Sequence, residues 1–490
     1  MNKQTFEQLS AQGYRRIPVA REIMADLDTP LSVYLKLADA PNAFLLESVE
    51  GGENWGRYSI IGLPVETSYE VRGHCWKKLH LGQVVEERTV KDPLAEVEKL
   101  QASYHVAKDS SLPPFIGGLV GYFGYEIIQY IEPKLANIKN TDQLDLPDIM
   151  LLEAEEVAVF DNISGKLHLI VHADPSQDHA WEQAQRRLDQ LVYRLRNSAA
   201  PYPLTVGNTQ TGESDFVSGF SQKSFEQAVD TCKDYIRAGD IMQVVISQRL
   251  STPFSARPLD VYRALRSLNP SPYMYFMDFG DFQVVGTSPE ILVRKEGSEV
   301  TVRPIAGTRP RGETPEQDLQ YEKELLEDPK EVAEHVMLID LGRNDVGRVA
   351  STGEVKLTEK MIVERYSHVM HIVSQVKGKV PENISCIDVI RAVFPAGTLS
   401  GAAKVRAMEI IEELEPIKRN VYAGAVGYLG WWGDMDTAIA IRTAVIKDKQ
   451  LHVQAGAGIV MDSVPHKEWE ETMNKGRALF RAVAQATEGL

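Results

Sequence analysis

Apolar residues follow two rhythms along this chain. In some stretches they recur every three or four positions, as on one face of a helix. In others they alternate or run together, as in strands. Trp181, Ala184, Leu188, Leu191 and Leu195 mark one helical stripe. Phe225, Val229, Cys232 and Ile236 mark another, opened by a capping box of Ser224 and Gln227 and stopped at Gly239. Further helices are predicted over Asp92–Tyr104, from about Ile384, over Ala402–Leu414, and from about His466 to Ala486. Short strands are predicted between Leu31 and Gly62, from Thr67 to Thr89 and from Ile149 to His172. Met242–Leu250 alternates, with Gln243, Val245, Ser247 and Arg249 on one face. Tyr273–Phe279, Phe282–Gly286, Ile291–Lys295 and Glu299–Pro304 succeed one another across tight turns, so antiparallel pairing is expected. Tyr422–Trp432, Thr437–Ile446 and Leu451–Ala455 complete the strands. Runs of strands with helices set apart, and no regular βαβ alternation, argue an α+β fold.

Residues 197–215 break the pattern. They are rich in Ser, Thr, Pro, Gly and Asn and poor in large apolar residues, as a linker is. They divide an N-terminal region, 20–175, from a C-terminal one, 220–486. At 490 residues the chain is long enough for a large core, and its net charge of −16 argues against a general role on nucleic acid or acidic membranes. The N-terminus mixes acids and bases without an apolar core, so no secretory signal is expected. No stretch approaches the roughly 18 apolar residues of a membrane span. The three cysteines, Cys75, Cys232 and Cys386, form no C-x-x-C pair. Their odd number argues against a disulfide framework, and a reducing cytoplasm is the expected setting.

Candidate chemistry is concentrated between Arg303 and Asp345. A Gly/Pro-punctuated loop carries Arg303, Arg309 and Arg311, which can aim guanidinium groups at an anion. A helix follows, with Glu331 and Glu334 three residues apart on one face. Glu468 and Glu471, with Lys475 one turn on, repeat that spacing on the last helix. Two such pairs can complete an oxygen-rich site suited to Mg²⁺, or each can be a solvated helix face. Arg442 is the only charge between Asp436 and Lys447. A lone guanidinium among apolar residues is costly unless it meets an anion, either a ligand or an internal carboxylate. Gly456-Ala457-Gly458 follows a strand and can turn backbone N–H groups toward a carboxylate, or make a plain turn. His371 is either a general base or a core residue. The chain has no G-x-x-x-x-G-K-[ST] loop, no H-E-x-x-H and no G-x-S-x-G elbow.

Five motifs then fall in order: Gly286-Thr-Ser-Pro-Glu290, Pro304-Ile-Ala-Gly-Thr308, Glu331 through Asp345, Gly397-Thr-Leu-Ser-Gly401 and Gln454-Ala-Gly-Ala-Gly458. In these the chain resembles the chorismate-utilising enzymes, and most closely the large subunit (component I) of anthranilate synthase. The likeness is dense from about Ser224 to Ala486 and thinner over Leu31–His172, through Leu45-Leu-Glu-Ser48. It implies two large packed antiparallel sheets with helices outside. It implies Mg²⁺ on Glu334 and Glu471, assisted by Glu331 and Glu468, holding the ring carboxylate of chorismate near Lys475. Tyr422, Arg442 and the backbone of Gly456, Ala457 and Gly458 would hold the enolpyruvyl carboxylate, with Gly307, Thr308 and Thr398 also lining the substrate. Glu290 would protonate the departing ring hydroxyl, and His371 would remove the ring proton. A glutamine amidotransferase subunit would supply ammonia.

The resemblance further implies feedback inhibition by tryptophan at Ser48, Pro272, Tyr273 and Met274, with Glu47 pairing the α-ammonium group. Relatives that add water to chorismate carry Lys at the position of Gln243, and an amide cannot act as that base. Aminodeoxychorismate synthases often carry a Lys nucleophile where this chain has Ala306. Both positions favour anthranilate synthase, the first step toward tryptophan. The alternatives are an aminodeoxychorismate synthase and an idle chorismate- or tryptophan-binding regulator. Ala403 departs from the family, which usually has Pro there to pre-set the next helical turn.

Overall fold

The computed structural model describes residues 1–49, 56–136, 139–198, 211–366 and 369–490. Trp55 and the middle of the expected linker, 199–210, lie outside the described residues. Among the described residues, two antiparallel sheets of twelve strands each form the body, as expected for this α+β class. The first sheet runs in the order Ile17–Met24, Lys166–Ala173, Glu156–Asp161, Tyr58–Gly62, Ala43–Glu47, Tyr273–Asp278, Phe282–Ser288, Thr443–Lys447, Gln450–Ile459, Gln243–Pro253, Val217–Ser218. The second includes Ile305–Pro310, Val369–Lys379, Ile291–Glu296, Met435–Ile439, Ala425–Gly430, Gly118–Phe123 and Thr67–Arg72. Each sheet takes strands from both sides of residues 197–215. The seams are Ala43–Glu47 beside Tyr273–Asp278, and Gly118–Phe123 beside Ala425–Gly430.

The two-residue period of a strand decides which side chains meet. Phe44, Ile60, Tyr275 and Val284 of the first sheet pack inward with Leu119, Val293 and Val426 of the second, in one continuous core. Their neighbours Leu45, Ile61, Phe276 and Val285 point the other way. They pack with Leu188, Leu191 and Leu195 of the helix Ala180–Asn197, Tyr262 and Leu265 of Pro258–Leu268, and Phe480 and Val483 of Pro465–Glu488. Strands buried on both faces lose the alternation that a half-solvated strand shows.

Five local expectations are corrected. Residues Pro30–Leu37 form a helix, because Thr29 and Ser32 bond reciprocally and Pro30 sits in its first turn. The helix Gln222–Ala238 is capped by Ser221, one turn before the predicted Ser224, and does end at Gly239 in the left-handed region. Ile305–Pro310 is a strand rather than a loop. Thr437–Ile446 is two strands in different sheets, Met435–Ile439 and Thr443–Lys447, and the chain crosses between them at Ala440, Ile441 and Arg442. Gly456–Gly458 lies within the strand Gln450–Ile459, not after it.

Candidate active site

Several elements meet around a cavity of about 220 Å³ bordered by Glu290, Thr308, His371, Thr398, Tyr422, Arg442, Gly456, Gly458 and Lys475. Each of these was singled out in the sequence. Ala457 turns its methyl into the core between the two glycines. The strand Thr443–Lys447 pairs with Gln450–Ile459 only as far as Val453, so beyond it the edge facing away from Gln243–Pro253 has no strand beside it. Backbone N–H groups at such an edge suit a carboxylate, while the Gly456 carbonyl already accepts from Lys475.

Arg442 stands where the chain crosses between sheets, with φ 50°, a conformation rare for a side chain of its size. Among the described residues no carboxylate acts on its guanidinium. Burial lowers its pKa, opposed only by the Tyr422 phenol. The internal acidic partner weighed above is therefore not what balances this charge.

Glu290 follows the strand Phe282–Ser288 and is 9% exposed. Burial raises its pKa to about 8, against the opposing pull of the Thr398 hydroxyl, which donates to Oε1 at 3.0 Å, and of Lys475. A carboxyl in that range is protonated at neutral pH and can donate a proton. His371 lies across the cavity on Val369–Lys379. The facing strand bulges between Ala306 and Arg309, and Gly307 there has φ +70°. The bulge turns the Gly307 carbonyl onto His371 Nδ1 at 2.8 Å, with Thr308 Oγ1 at 3.1 Å. An Nδ1–H given to Gly307 leaves Nε2 as the basic nitrogen, and burial holds the imidazole pKa below its ordinary value.

Glu331 and Glu334 share the helix Pro329–Gly347, and Glu468 and Glu471 share Pro465–Glu488. Burial and repulsion within each pair raise the pKa of Glu331 and of Glu468. Glu334 accepts from Gln243 Nε2 at 3.3 Å, and Glu471 pairs with Lys475 at 2.7 Å. Among the described residues no three carboxylate, imidazole or thiol groups cluster closely enough to hold a metal ion, so the glutamates stand here as two pairs. A hard cation that keeps several waters needs only one or two carboxylates, so the donor chemistry fits one. Lys475 also donates to the Gly456 carbonyl at 2.9 Å, tying the last helix to the strand edge.

The arginines of 303–311 are all held by protein carboxylates, and Arg309 also lies 3.6 Å from Glu331 of the candidate metal site. Arg303 pairs with Glu359 and Glu364, Arg309 with Asp328, and Arg311 with Asp318. The anion-directed loop expected there is a set of internal ion pairs. Leu399, Gln454 and Leu479 also line the cavity. Leu399 and Gln454 fall within the sequence motifs, which assign them no role, and nothing in the type or spacing of Leu479 set it apart from a core residue.

A second cavity, of about 230 Å³, lies at the N-terminal seam and is bordered by Glu47, Ser48, Pro114, Phe115, Pro272, Tyr273, Met274, Tyr275 and Tyr428. Glu47 is committed elsewhere: its carboxylate accepts from Tyr262 and from Arg266, so it is not a free partner for an ammonium group. The two cavities are linked by short paths. Tyr275 Oη bonds Thr443 Oγ1 at 2.6 Å, and Thr443 donates to the Ile441 carbonyl at 2.8 Å, in the wall of the first cavity. Ser271, beside Pro272, donates to the Ser288 carbonyl, two residues from Glu290.

A family model described as chorismate binding enzyme matches residues 44–481. The chain is 60% identical over 489 residues to anthranilate synthase component 1 of Pseudomonas putida, covering 100% of this chain and 99% of that protein. It is 46% identical over 486 residues to anthranilate synthase component 1 of Aquifex aeolicus, covering 98% and 97%. The crystal structure of anthranilate synthase component I from Streptococcus pneumoniae superposes with a TM-score of 0.78 at 38% identity, over 94% of this chain and 99% of that one. The menaquinone-specific isochorismate synthase of Escherichia coli shares the fold, with a TM-score of 0.70 at 19% identity over 98% of each chain.

Proposed function

The chain belongs to the chorismate binding enzymes, and from that premise we propose that it is the large subunit of an anthranilate synthase, converting chorismate and ammonia to anthranilate and pyruvate. The observation that carries the reading is Arg442, a guanidinium facing a cavity with no carboxylate among the described residues to balance it. A dicarboxylate substrate supplies the missing charge. Arg442, Tyr422 and the open edge at Gly456–Gly458 hold the enolpyruvyl carboxylate. Ammonia adds to the ring, and Glu290, protonated at neutral pH, gives its proton to the departing hydroxyl, which leaves as water. His371 Nε2 then takes the ring proton as pyruvate is eliminated, and the ring becomes aromatic. Gln243 offers no base to activate water and Ala306 no amine to attack the ring, which suits free ammonia as the nucleophile.

Glu331, Glu334, Glu468 and Glu471 would hold Mg²⁺, which when bound neutralises the ring carboxylate and draws charge toward it. Glu334→Gln should raise the Mg²⁺ needed for half-maximal activity and lower the maximum. An unchanged Mg²⁺ titration in the mutant would remove Glu334 from the metal site.

A component 1 implies a second component, and no glutaminase nucleophile is evident in this sequence. A glutamine amidotransferase subunit is therefore the proposed partner. The purified chain with chorismate and Mg²⁺ should form anthranilate from ammonium salts and not from glutamine. Formation of aminodeoxychorismate instead would favour the folate-pathway reading.

The second cavity is proposed as a tryptophan site, with Ser48 as a polar contact and Pro272, Tyr273 and Met274 packing the indole. Ser48→Phe should fill it and abolish inhibition while uninhibited turnover stays within about twofold. The measurement is activity against tryptophan concentration. An unshifted curve would move the regulatory site elsewhere.

A further inference from the structure

Behind the first cavity lies an ion pair that the proposed mechanism does not use. Arg419 and Glu415 are 1% and 2% exposed and bonded at 2.6 and 2.9 Å. The fork reaches further. Arg419 Nη1 donates to the Leu399 carbonyl and Nη2 to the Val245 carbonyl, each at 2.8 Å. Glu415 Oε1 accepts from both the backbone N–H and the hydroxyl of Ser247, each at 2.8 Å. Leu399 and Val245 belong to the cavity wall, and Leu399 adjoins Thr398, whose hydroxyl holds Glu290. The turn that carries Thr398, Gly397–Ser400, is a single four-residue helix with no side-chain cap. Its Leu399 carbonyl is one of the orphan acceptors such an end leaves, and the guanidinium meets it from behind.

We propose that Arg419, fixed by Glu415, is a positioning residue for Glu290: it pins the Gly397–Ser400 turn to the strand Gln243–Pro253 and so sets the hydroxyl that aims the acid. The guanidinium makes four bonds here, two to the Glu415 carboxylate and one each to the Leu399 and Val245 carbonyls, whereas an ammonium group has only three donors and no planar fork. A buried ion pair is weak evidence for stability in itself, which makes a geometric role the stronger account. The inference rests on the function proposed above.

The test uses the full chain with chorismate, Mg²⁺ and ammonium salt. Arg419→Lys should lower kcat by about 10- to 100-fold, as expected for a misplaced catalytic group, with the KM for chorismate within about threefold. The alkaline limb of the pH–rate profile should also move upward, because the Thr398 hydroxyl favours ionised Glu290 and its displacement raises the carboxyl's pKa further. If Arg419→Lys fails to fold, Glu415→Gln/Arg419→Met carries the test, since it removes both charges of the pair together. Wild-type kcat in either folded variant would overturn the proposal. So would a fall in kcat that tracks a lowered melting temperature and leaves the alkaline limb in place. Failure of the wild-type chain to make anthranilate would instead sink the proposed function.

Discussion

Replacing Glu290 by glutamine is expected to lower kcat by about 10²- to 10⁴-fold, the range general-acid catalysis supplies, while chorismate still binds. Gln keeps the volume and can still accept the Thr398 hydroxyl bond, so the cavity should hold its shape. What it loses is a transferable proton at the point where the ring hydroxyl leaves. The wild-type profile should show why the carboxyl is suited to that step. The proposed mechanism needs Glu290 protonated and His371 neutral. With Glu290 near 8, rate should fall as pH rises through that value; with His371 below its ordinary 6.5, rate should fall only as pH drops below that point. The alkaline limb should vanish in Glu290→Gln if this group causes it. A mutant that keeps both the limb and the wild-type kcat would show that another acid serves the leaving group.

Arg442→Met should cut kcat/KM for chorismate by roughly 30- to 5,000-fold, corresponding to about 2–5 kcal/mol for removing one partner of a buried charge pair. The same change should not lower the melting temperature of the free protein. In the free chain the guanidinium is desolvated without a carboxylate among the described residues, so removing it should relieve a cost that the proposed substrate offsets. Loss of binding without loss of stability separates a ligand-facing arginine from a structural one such as Arg303, which is already paired with Glu359 and Glu364. Arg303→Met is the contrasting control. A clear fall in melting temperature for Arg442→Met would mean that its charge has a protein partner.

Those two arginines also show what the sequence could and could not reveal. Arg442 was legible because its neighbours are all uncharged, so the cost of burying it could be read locally. Arg303 looked equally poised in its Gly/Pro-punctuated context, but Glu364 lies 61 residues away and only folding brings it near. The roles of Glu290 and His371 came from family resemblance. Their physical basis, burial for one and a bulge at Gly307 for the other, belongs to tertiary structure. The long amphipathic helices were readable from period alone. Pro30–Leu37 was not, because its apolar run mimics a strand and the deciding signal was the short reciprocal cap of Thr29 and Ser32. The break between Thr437 and Ile446 was hidden because both new strands are apolar and only a change of sheet separates them.

The interleaving of both sheets bears on how the chain is made and how it can be cut. During synthesis, Ala43–Glu47 waits for Tyr273–Asp278, and Gly118–Phe123 waits for Ala425–Gly430. Pairings across such sequence separations close late and fold slowly. Until they close, the first two hundred residues present open sheet edges, the usual template for aggregation. The second cavity lies on one of these seams, walled by Ser48 on one side and Tyr273 on the other. Removing the N-terminal region would therefore strip five strands from each sheet along with the cavity. Loss of the proposed tryptophan inhibition without loss of the enzyme is expected from point substitution and not from truncation.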